Sequence, residues 1–280
     1  MYDLAGLPTF ETAAREEIAP ADVHVWIMDI SEAEAAPGGL AHLEGVLDED
    51  ETARLAKMGG KTQRRRFVAG RALLRDVLSR YNGCDPREHR FRVFGNGKIR
   101  LSEAQNPNNI TFNLSYGGDH AVLTVGNDRV IGIDIEDMAR DADMSLISER
   151  FFSVPERAQL CRSQIADRPA CFFRLWTLKE AYIKARAQGF WTRLDEMAFD
   201  VADNGFIRFS RHFSDQPDTK KWNFFQFDGP SDTILALCVD VGTCARVHLD
   251  VRTCQPFSDW QHFAPARVGR SQPWAPSANA

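Results

Sequence analysis

The stretch Val130–Glu136, V-I-G-I-D-I-E, decides the predicted fold, and it is interpreted together with Arg174–Lys184, R-L-W-T-L-K-E-A-Y-I-K. The first stretch alternates with a period of two, which predicts a β-strand with three isoleucines on one face. Asp134 and Glu136 then share the other face, where they repel each other by roughly 2–3 kcal/mol for a separation near 6 Å and an effective dielectric of about 20. We therefore expect a cation close to the two carboxylates.

The second stretch has the period of an α-helix that begins before Arg174. Its apolar stripe consists of Cys171, Phe172, Leu175, Leu178, Tyr182 and Ala185. Trp176, Glu180 and Lys184 fall toward the other side, so the helix displays a third carboxylate together with a cation. Taken separately, these features are also typical of a solvated sheet face and an ordinary exposed Glu–Lys pair.

Three carboxylates without a neighbouring Cys or His cluster indicate Mg²⁺ rather than zinc, and Mg²⁺ usually accompanies phosphate groups. Gly132 lies beside the carboxylates, and we expect it to leave space for a ligand to approach the backbone. The residues thus favour a magnesium-dependent site for a phosphate-containing ligand.

G-I-D-I-E, followed about forty residues later by W-T-L-K-E-A-Y-I-K, resembles the signatures of the 4′-phosphopantetheinyl transferases of the surfactin-synthetase-activating (Sfp) type. The second signature of that family is Trp or Phe, two residues, Lys-Glu-Ala/Ser, two residues and Lys. The residues that match it are Trp176, Lys179, Glu180, Ala181 and Lys184. The resemblance covers roughly Asp48–Val239. It implies an α+β fold of two similar α+β halves, a pseudo-dimer, packed together with the cofactor site between them.

The resemblance implies that phosphopantetheine moves from coenzyme A to a serine of an acyl or peptidyl carrier protein, with release of adenosine 3′,5′-bisphosphate. Asp134, Glu136 and Glu180 are expected to hold Mg²⁺, or Mn²⁺ in its place, against the pyrophosphate. Glu180 and Lys184 are the expected catalytic residues. Glu180 acts as metal ligand, as general base or as both, and Lys184 grips the anionic substrate. The pathway served, whether fatty acid, polyketide, nonribosomal peptide or siderophore biosynthesis, stays open.

Basic residues in the first half are expected to bind coenzyme A. The helix predicted over Lys61–Tyr81 carries several arginines, whose forked guanidinium groups suit phosphate oxygens, although such a run is equally typical of a solvated helix face. By resemblance, the residues that bind coenzyme A are Arg64, Arg65, Arg66, Arg71, Lys98, Ser115, Tyr116 and Lys184. Arg71 matches the family arginine best, and which of Arg64–Arg66 takes part is open.

The segment F-N-L-S-Y-G-G departs from the family pattern Asn-hydrophobic-Ser-His-Ser/Thr. Ser115 matches the serine, but Tyr116 stands where the family has histidine, and Gly117 replaces the small hydroxyl residue. A tyrosine donates one neutral hydrogen bond and carries no charge at pH 7. At the anion contact expected there, Tyr116 therefore cannot supply the positive charge that a protonated histidine would supply.

Composition excludes several classes of protein. The 280-residue chain has a net charge of −5, which argues against a general nucleic-acid binder, so any phosphate site must be a local basic cluster. Its six cysteines lack metal-ligand spacing, so free thiols in a reducing cytosol are expected. No apolar run approaches the roughly 20 residues of a membrane span, and the acidic N-terminus is no signal peptide. We expect a cytoplasmic monomer that binds neither nucleic acid nor membrane.

The predicted elements divide the chain into a loose leader at 1–20, an N-terminal α+β half at 21–126 with the basic residues, a C-terminal α+β half at 127–252 with the metal and catalytic residues, and a Pro-rich tail at 253–280. The tail is not expected to extend the fold, although its tryptophans, Trp260 and Trp274, suit docking on it. Paired strands are predicted around Ser115–Asp119, and the turn residues Gly126–Arg129 predict a hairpin into V-I-G-I-D-I-E.

Two other functions stay open on these residues. One is a different Mg²⁺-dependent enzyme of nucleotide or pyrophosphate chemistry, which is distinguished by adding coenzyme A and measuring adenosine 3′,5′-bisphosphate. The other is a coenzyme A-binding protein without transferase activity, suggested by Tyr116, which binds coenzyme A and modifies nothing.

Overall fold

The computed structural model describes residues 15–94, 98–187, 193–211, 221–241 and 246–271. The chain divides into two compact units: the first comprises Met1–Asp128 and Leu249–Phe263, and the second Arg129–His248 and Ala264–Ala280. Within the described ranges, seven α-helices and thirteen β-strands form, so the protein is a mixed α+β fold.

The helices are α1 Ile30–Ala35, α2 Gly39–Leu43, α3 Glu49–Ala56, α4 Lys61–Asn82, α5 Met144–Phe151, α6 Val154–Arg162 and α7 Arg168–Arg186. The strands are β1 Asp22–Asp29, β2 Phe91–Val93, β3 Ile99–Leu101, β4 Ile110–Gly117, β5 His120–Asn127, β6 Ile131–Asp137, β7 Met197–Val201, β8 Ile207–Arg211, β9 Trp222–Asp228, β10 Thr233–Asp240, β11 His248–Cys254, β12 Trp260–His262 and β13 Val268–Arg270. The two predicted long helices are confirmed as α4 and α7.

The first unit contains a five-stranded sheet in the order β12-β11-β1-β5-β4. Trp26 and Met28, two residues apart on β1, enter one hydrophobic core with the apolar side of α4, as the period of two requires. The apolar side chains of Phe67, Leu74, Val77 and Leu78 are all buried there. Gly83 ends the helix in the left-handed conformation with φ 72°, which glycine adopts without a Cβ clash.

The arginine run was equally typical of a solvated helix face, but the basic side of α4 is not solvated. Arg75 is fully buried and donates to Asp48 and Glu51 at 2.7 and 2.9 Å and to the carbonyl oxygen of Pro86 at 2.8 Å. Because a buried guanidinium is tolerated only when its donors are satisfied, this network fixes α3 against α4.

The second unit contains a four-stranded sheet in the order β13-β9-β10-β6, with α7 packed on it. β6 pairs antiparallel with β10, so that Asp134 lies opposite Ala236 and Glu136 opposite Ile234. Before α7, a capping box begins α6. The Ser153 side chain accepts from the backbone amide of Glu156, and the Glu156 side chain accepts from the backbone amide of Ser153.

The strands predicted around Ser115–Asp119 are confirmed, since β4 and β5 pair over their whole length. The hairpin predicted at Gly126–Arg129 was wrong. β5 pairs with β1 and β4 in the first unit's sheet, whereas β6 pairs with β10 in the second unit's sheet. The turn residues there carry the chain from one sheet to another rather than between paired strands.

The prediction that the segment after Gln255 adds nothing to the fold was wrong. β12 pairs with β11, and β13 pairs with β9. Arg252 explains the docking of β12, because its guanidinium lies 4.0 Å from the ring centroid of Trp260 and binds Glu16 at 2.8 Å. Two three-residue strands are too short to show a period in the sequence. Trp274 and residues 1–14 of the predicted leader lie outside the described residues.

No helix in the described ranges is both long and apolar enough to cross a membrane. The cysteines that the structure describes are free thiols: Cys84, Cys161, Cys171, Cys238 and Cys254.

Candidate active site

β6 and α7 pack in direct backbone contact at Gly132. A Cβ on this residue would collide with the carbonyl oxygen of Ala181 and the amide nitrogen of Ala185. The space beside Gly132 is therefore filled by α7, and the expectation that a ligand approaches the backbone there was wrong. The close approach brings the following side chains of β6 against the helix.

Two side-chain contacts join the carboxylates of β6 to α7. Lys184 Nζ donates to Asp134 Oδ1 at 2.7 Å, and Trp176 Nε1 donates to Glu136 Oε1 at 3.0 Å. Asp134 is 4% exposed and Glu136 8% exposed. The solvated-face interpretation is thereby excluded, and Lys184 places a cation beside Asp134.

Burial and mutual repulsion control the charge of this group, which we call the carboxylate cluster: Asp134, Glu136 and Glu180. Burial, followed by the charge of Asp134, raises the pKa of Glu136 to about 7, against the opposing effect of Arg140. The same two causes raise the pKa of Glu180 to about 7, while Lys184 and Arg140 oppose them. A further cation at the cluster would favour the ionised carboxylates.

The carboxylate cluster fits a divalent ion chemically, because its donors are hard oxygens and its net charge is negative. Among the described residues, no three His, Cys, Asp or Glu side chains are grouped closely enough to hold a metal ion between them. The contacts give the reason: Asp134 accepts from Lys184, and Glu136 faces Trp176 and Arg140 instead of the neighbouring carboxylates. The metal site stays a prediction.

Lys179, a signature residue without a role assigned from the sequence, is fully buried. Its Nζ lies 2.8 Å from Glu156 Oε2 and donates to the carbonyl oxygens of Leu194 and Met197, both at 2.8 Å. Glu156 also accepts from the amide of Phe199 at 3.0 Å. This pair ties α6 and the start of β7 to the helix that carries Glu180. Nothing in the local sequence around Glu156 identified Lys179 as its partner.

The arginines at the start of α4 have different partners. Arg64 donates to a carbonyl oxygen of α3 at 2.7 Å. Arg65 pairs with Glu34 and Asp119, both at 2.7 Å. With Lys61, these two arginines line a cavity of about 290 Å³.

Arg66 and Arg71 carry donors that the described residues leave unsatisfied. Arg66 donates through NH2 to the carbonyl oxygen of Gly118 at 2.9 Å, and Arg71 Nε lies 3.3 Å from Glu51 Oε1. Arg66 Nε and Arg71 NH1 are buried without an acceptor in the described ranges. Of the three arginines at 64–66, Arg66 thus offers the donor most suited to an incoming anion. Sequence reasoning missed Glu51, whose only local indication is its capping box with Asp48.

Tyr116 projects onto α4. Its hydroxyl lies where a Cβ on Gly70 would be, which accounts for a glycine inside this helix. Burial raises the pKa of Tyr116 to about 12, with Arg71 the largest opposing influence. The side chain is therefore a neutral hydrogen-bonding group on the basic side of α4.

Ser115 is buried at 3% exposure, and burial lowers the pKa of Lys98, with Arg100 adding to the effect. Residues 95–97, which precede Lys98, lie outside the described residues. The candidate residues thus divide between the units. The second unit holds the carboxylate cluster and Lys184, and the first unit holds Arg64, Arg65, Arg66, Arg71, Lys98, Ser115 and Tyr116.

Comparison with known proteins identifies relatives that share the segment with β6 and α7. Residues 130–238, which include all of β6 and α7, match the family model described as the 4′-phosphopantetheinyl transferase superfamily. The 4′-phosphopantetheinyl transferase HetI of Nostoc sp. is 35% identical over 63% of this chain and 73% of its own length. The 4′-phosphopantetheinyl transferase Sfp of Bacillus subtilis is 30% identical over 52% of this chain and 63% of its own. The holo-acyl-carrier-protein synthase structure of Thermotoga maritima matches 49% of this chain and 86% of its own with 15% identity and a TM-score of 0.33, too low to carry an argument.

Proposed function

We propose that the protein moves phosphopantetheine from coenzyme A to a serine hydroxyl of an acyl or peptidyl carrier domain. The chain belongs to the 4′-phosphopantetheinyl transferase superfamily and is a phosphopantetheinyl transferase. The other product is adenosine 3′,5′-bisphosphate. The observation that carries the proposal is the junction of β6 and α7, where Lys184 contacts Asp134 and Trp176 contacts Glu136. This junction combines the acidic and basic groups that a pyrophosphate reaction needs.

We assign the divalent ion to Asp134, Glu136 and Glu180, because the charge and oxygen donors of the cluster suit Mg²⁺ or Mn²⁺. The ion, when bound, would offset the charge that develops on the leaving pyrophosphate oxygen. Lys184 is the protein's own cation at this place, and it is half-buried with its Nζ 2.7 Å from Asp134. Its role is to bind a phosphate oxygen of the substrate.

Glu180 is the proposed acceptor of the serine proton. Burial and the charge of Asp134 raise its pKa to about 7 in the metal-free protein, and a bound cation would favour the ionised carboxylate that a general base needs. The serine oxygen forms the new bond to phosphorus, its proton goes to the Glu180 carboxylate, and the P–O bond to adenosine 3′,5′-bisphosphate breaks. Service as a metal ligand is compatible with this role, because a carboxylate has two oxygens.

The basic residues of the first unit are the proposed binding groups for the anionic ends of coenzyme A. The buried donors of Arg66 and Arg71 that lack acceptors in the described ranges support them most directly. Tyr116 would supply a neutral donor. We also propose that the two units are related halves that both contribute to coenzyme A binding in a cytoplasmic monomer. In support, each unit packs one long helix on a β-sheet.

Intact-mass measurement tests the proposal. The protein is incubated with coenzyme A, Mg²⁺ and a panel of carrier domains from fatty-acid, polyketide, nonribosomal-peptide and siderophore systems. At least one carrier should gain the mass of one phosphopantetheine, with an equal amount of adenosine 3′,5′-bisphosphate released, and its serine-to-alanine variant should gain nothing. Release of the nucleotide without carrier modification would indicate another pyrophosphate enzyme. Coenzyme A binding without either product would indicate a binding protein.

A further inference from the structure

Both carboxylate oxygens of Glu136 face donors from the protein itself. Oε1 accepts from Trp176 Nε1 at 3.0 Å, and Oε2 lies 3.3 Å from Arg140 NH1. Asp134 is paired with Lys184 at 2.7 Å. Arg140 and Lys184 together carry two positive charges. They therefore neutralise part of the cluster, whose three carboxylates carry three negative charges when ionised.

Arg140 and Lys184 differ in how they are held. Lys184 projects from α7, a helix packed in the core of the second unit. Arg140 lies in the turn after β6, where its amide donates to the carbonyl oxygen of Asp137 at 3.1 Å, and its side chain is 44% exposed. Its guanidinium is 5.8 Å from the ring centroid of Phe173. Because its side chain is 44% exposed, Arg140 can move its guanidinium into water more readily than Lys184 can move its Nζ, which is 27% exposed.

We propose that Arg140 is an exchangeable counter-ion, whose guanidinium holds Glu136 until a divalent cation binds the carboxylate cluster and then leaves it. This inference rests on the proposed function for the position of the divalent ion. A guanidinium kept at Glu136 Oε2 would repel an incoming divalent cation, so Arg140 competes with the metal. Trp176 is uncharged and can stay on Oε1, where it orients the carboxylate toward the ion. Arg140 thereby sets the metal concentration at which the site fills.

Mn²⁺ binding to the full chain, without coenzyme A or carrier, tests the proposal directly. Free Mn²⁺ is measured by electron paramagnetic resonance for the wild type, Arg140→Gln, Arg140→Lys and the control Arg150→Gln. Arg150 lies on α5 of the same unit and makes no ion pair among the described residues, so it matches the change in net charge. Arg140→Gln should bind Mn²⁺ about two- to fivefold more tightly, the range expected for the loss of one weak ion pair. The two other variants should match the wild type.

Thermal unfolding supplies a second readout. In chelator, Arg140→Gln should melt below the wild type, because the carboxylates lose a counter-ion, and added Mg²⁺ should raise its Tm by more than it raises that of the wild type. Equal or weaker Mn²⁺ binding by Arg140→Gln, with wild-type binding intact, would overturn the proposal and leave the proposed function standing. Wild-type Mn²⁺ binding that Asp134→Asn does not weaken would overturn the metal assignment, and the counter-ion role with it.

Discussion

Replacement of Gly132 by alanine tests the backbone contact between β6 and α7. The new Cβ would lie 2.9 Å from the Cα of Ala185 and closer still to two backbone atoms of the helix. Ordinary Cβ contacts begin at 3.4 Å, and the two closest backbone atoms require the largest shift, so α7 must retreat by about 1 Å. Backbone cannot rotate away as a side chain can. Overpacking of this kind costs about 1–3 kcal/mol. We expect Gly132→Ala to lose that much unfolding free energy.

Gly59→Ala is the matched control, because a Cβ on Gly59 meets nothing within 4 Å. The free energy of unfolding of both variants is measured by urea titration, and Mn²⁺ binding is measured in parallel. Retreat of α7 lengthens the contact of 2.7 Å between Lys184 and Asp134, so Gly132→Ala should also bind Mn²⁺ more weakly. If Gly132→Ala were as stable as Gly59→Ala, the close packing described for β6 and α7 would be refuted.

Three further predictions concern other parts of the molecule. Burial raises the pKa of Asp76 from its ordinary value of 3.8 to about 6, so its contribution to stability is full below pH 4 and is lost as pH rises through 6. Urea titrations from pH 4 to pH 7 should show a loss of up to about 3 kcal/mol that Asp76→Asn lacks, and equal pH profiles would contradict it. Trp260→Ala should lower the unfolding free energy by about 1–3 kcal/mol, because it removes the contacts with Arg252 and Trp26. The control Gln261→Ala changes an exposed side chain and should leave the unfolding free energy unchanged. An unchanged unfolding free energy for Trp260→Ala would show that β12 is dispensable for stability. Glu180→Gln should lower kcat about 10²–10⁴-fold at every Mg²⁺ concentration if Glu180 is the base, and recovery at high Mg²⁺ would make it chiefly a ligand.

Local periodicity was sufficient to predict the two elements that carry the site. The alternation in Val130–Glu136 and the helical period around Trp176 are properties of short stretches, and β6 and α7 formed where they indicated. The family resemblance depended on the same two stretches and is confirmed by the comparisons. Lys184 and Asp134, which are in contact at 2.7 Å, both belong to these two stretches, although their contact was not predicted.

Tertiary partners were not readable from local patterns. Gly132 makes room for the backbone of α7 rather than for a ligand, and only the packed structure shows which neighbour fills that space. Lys179 and Glu156 lie far apart in the chain, so nothing in either local pattern paired them. The turn at Gly126–Arg129 has the composition of a hairpin turn, but β6 pairs with β10 of the second unit's sheet instead of with β5. The local sequence does not show which strand a given strand will pair with.

The Arg run in α4 shows a further limit of composition. A helical wheel places Arg71 and Arg75 on a polar side, where solvation is the ordinary expectation. Glu51 reverses that expectation, because it lies 3.3 Å from Arg71 and 2.7 Å from Arg75 and makes their burial possible. A long-range carboxylate of this kind has no periodic signature.

The most direct test of the account is the metal dependence of carrier modification, followed by intact mass for the wild type and Asp134→Ala. The wild type should transfer no phosphopantetheine in chelator and should recover when Mg²⁺ or Mn²⁺ is added. Asp134→Ala, checked for folding by circular dichroism, should stay inactive at the metal concentration that restores the wild type. Full activity of Asp134→Ala in chelator would contradict the assignment of the chemistry to the carboxylate cluster.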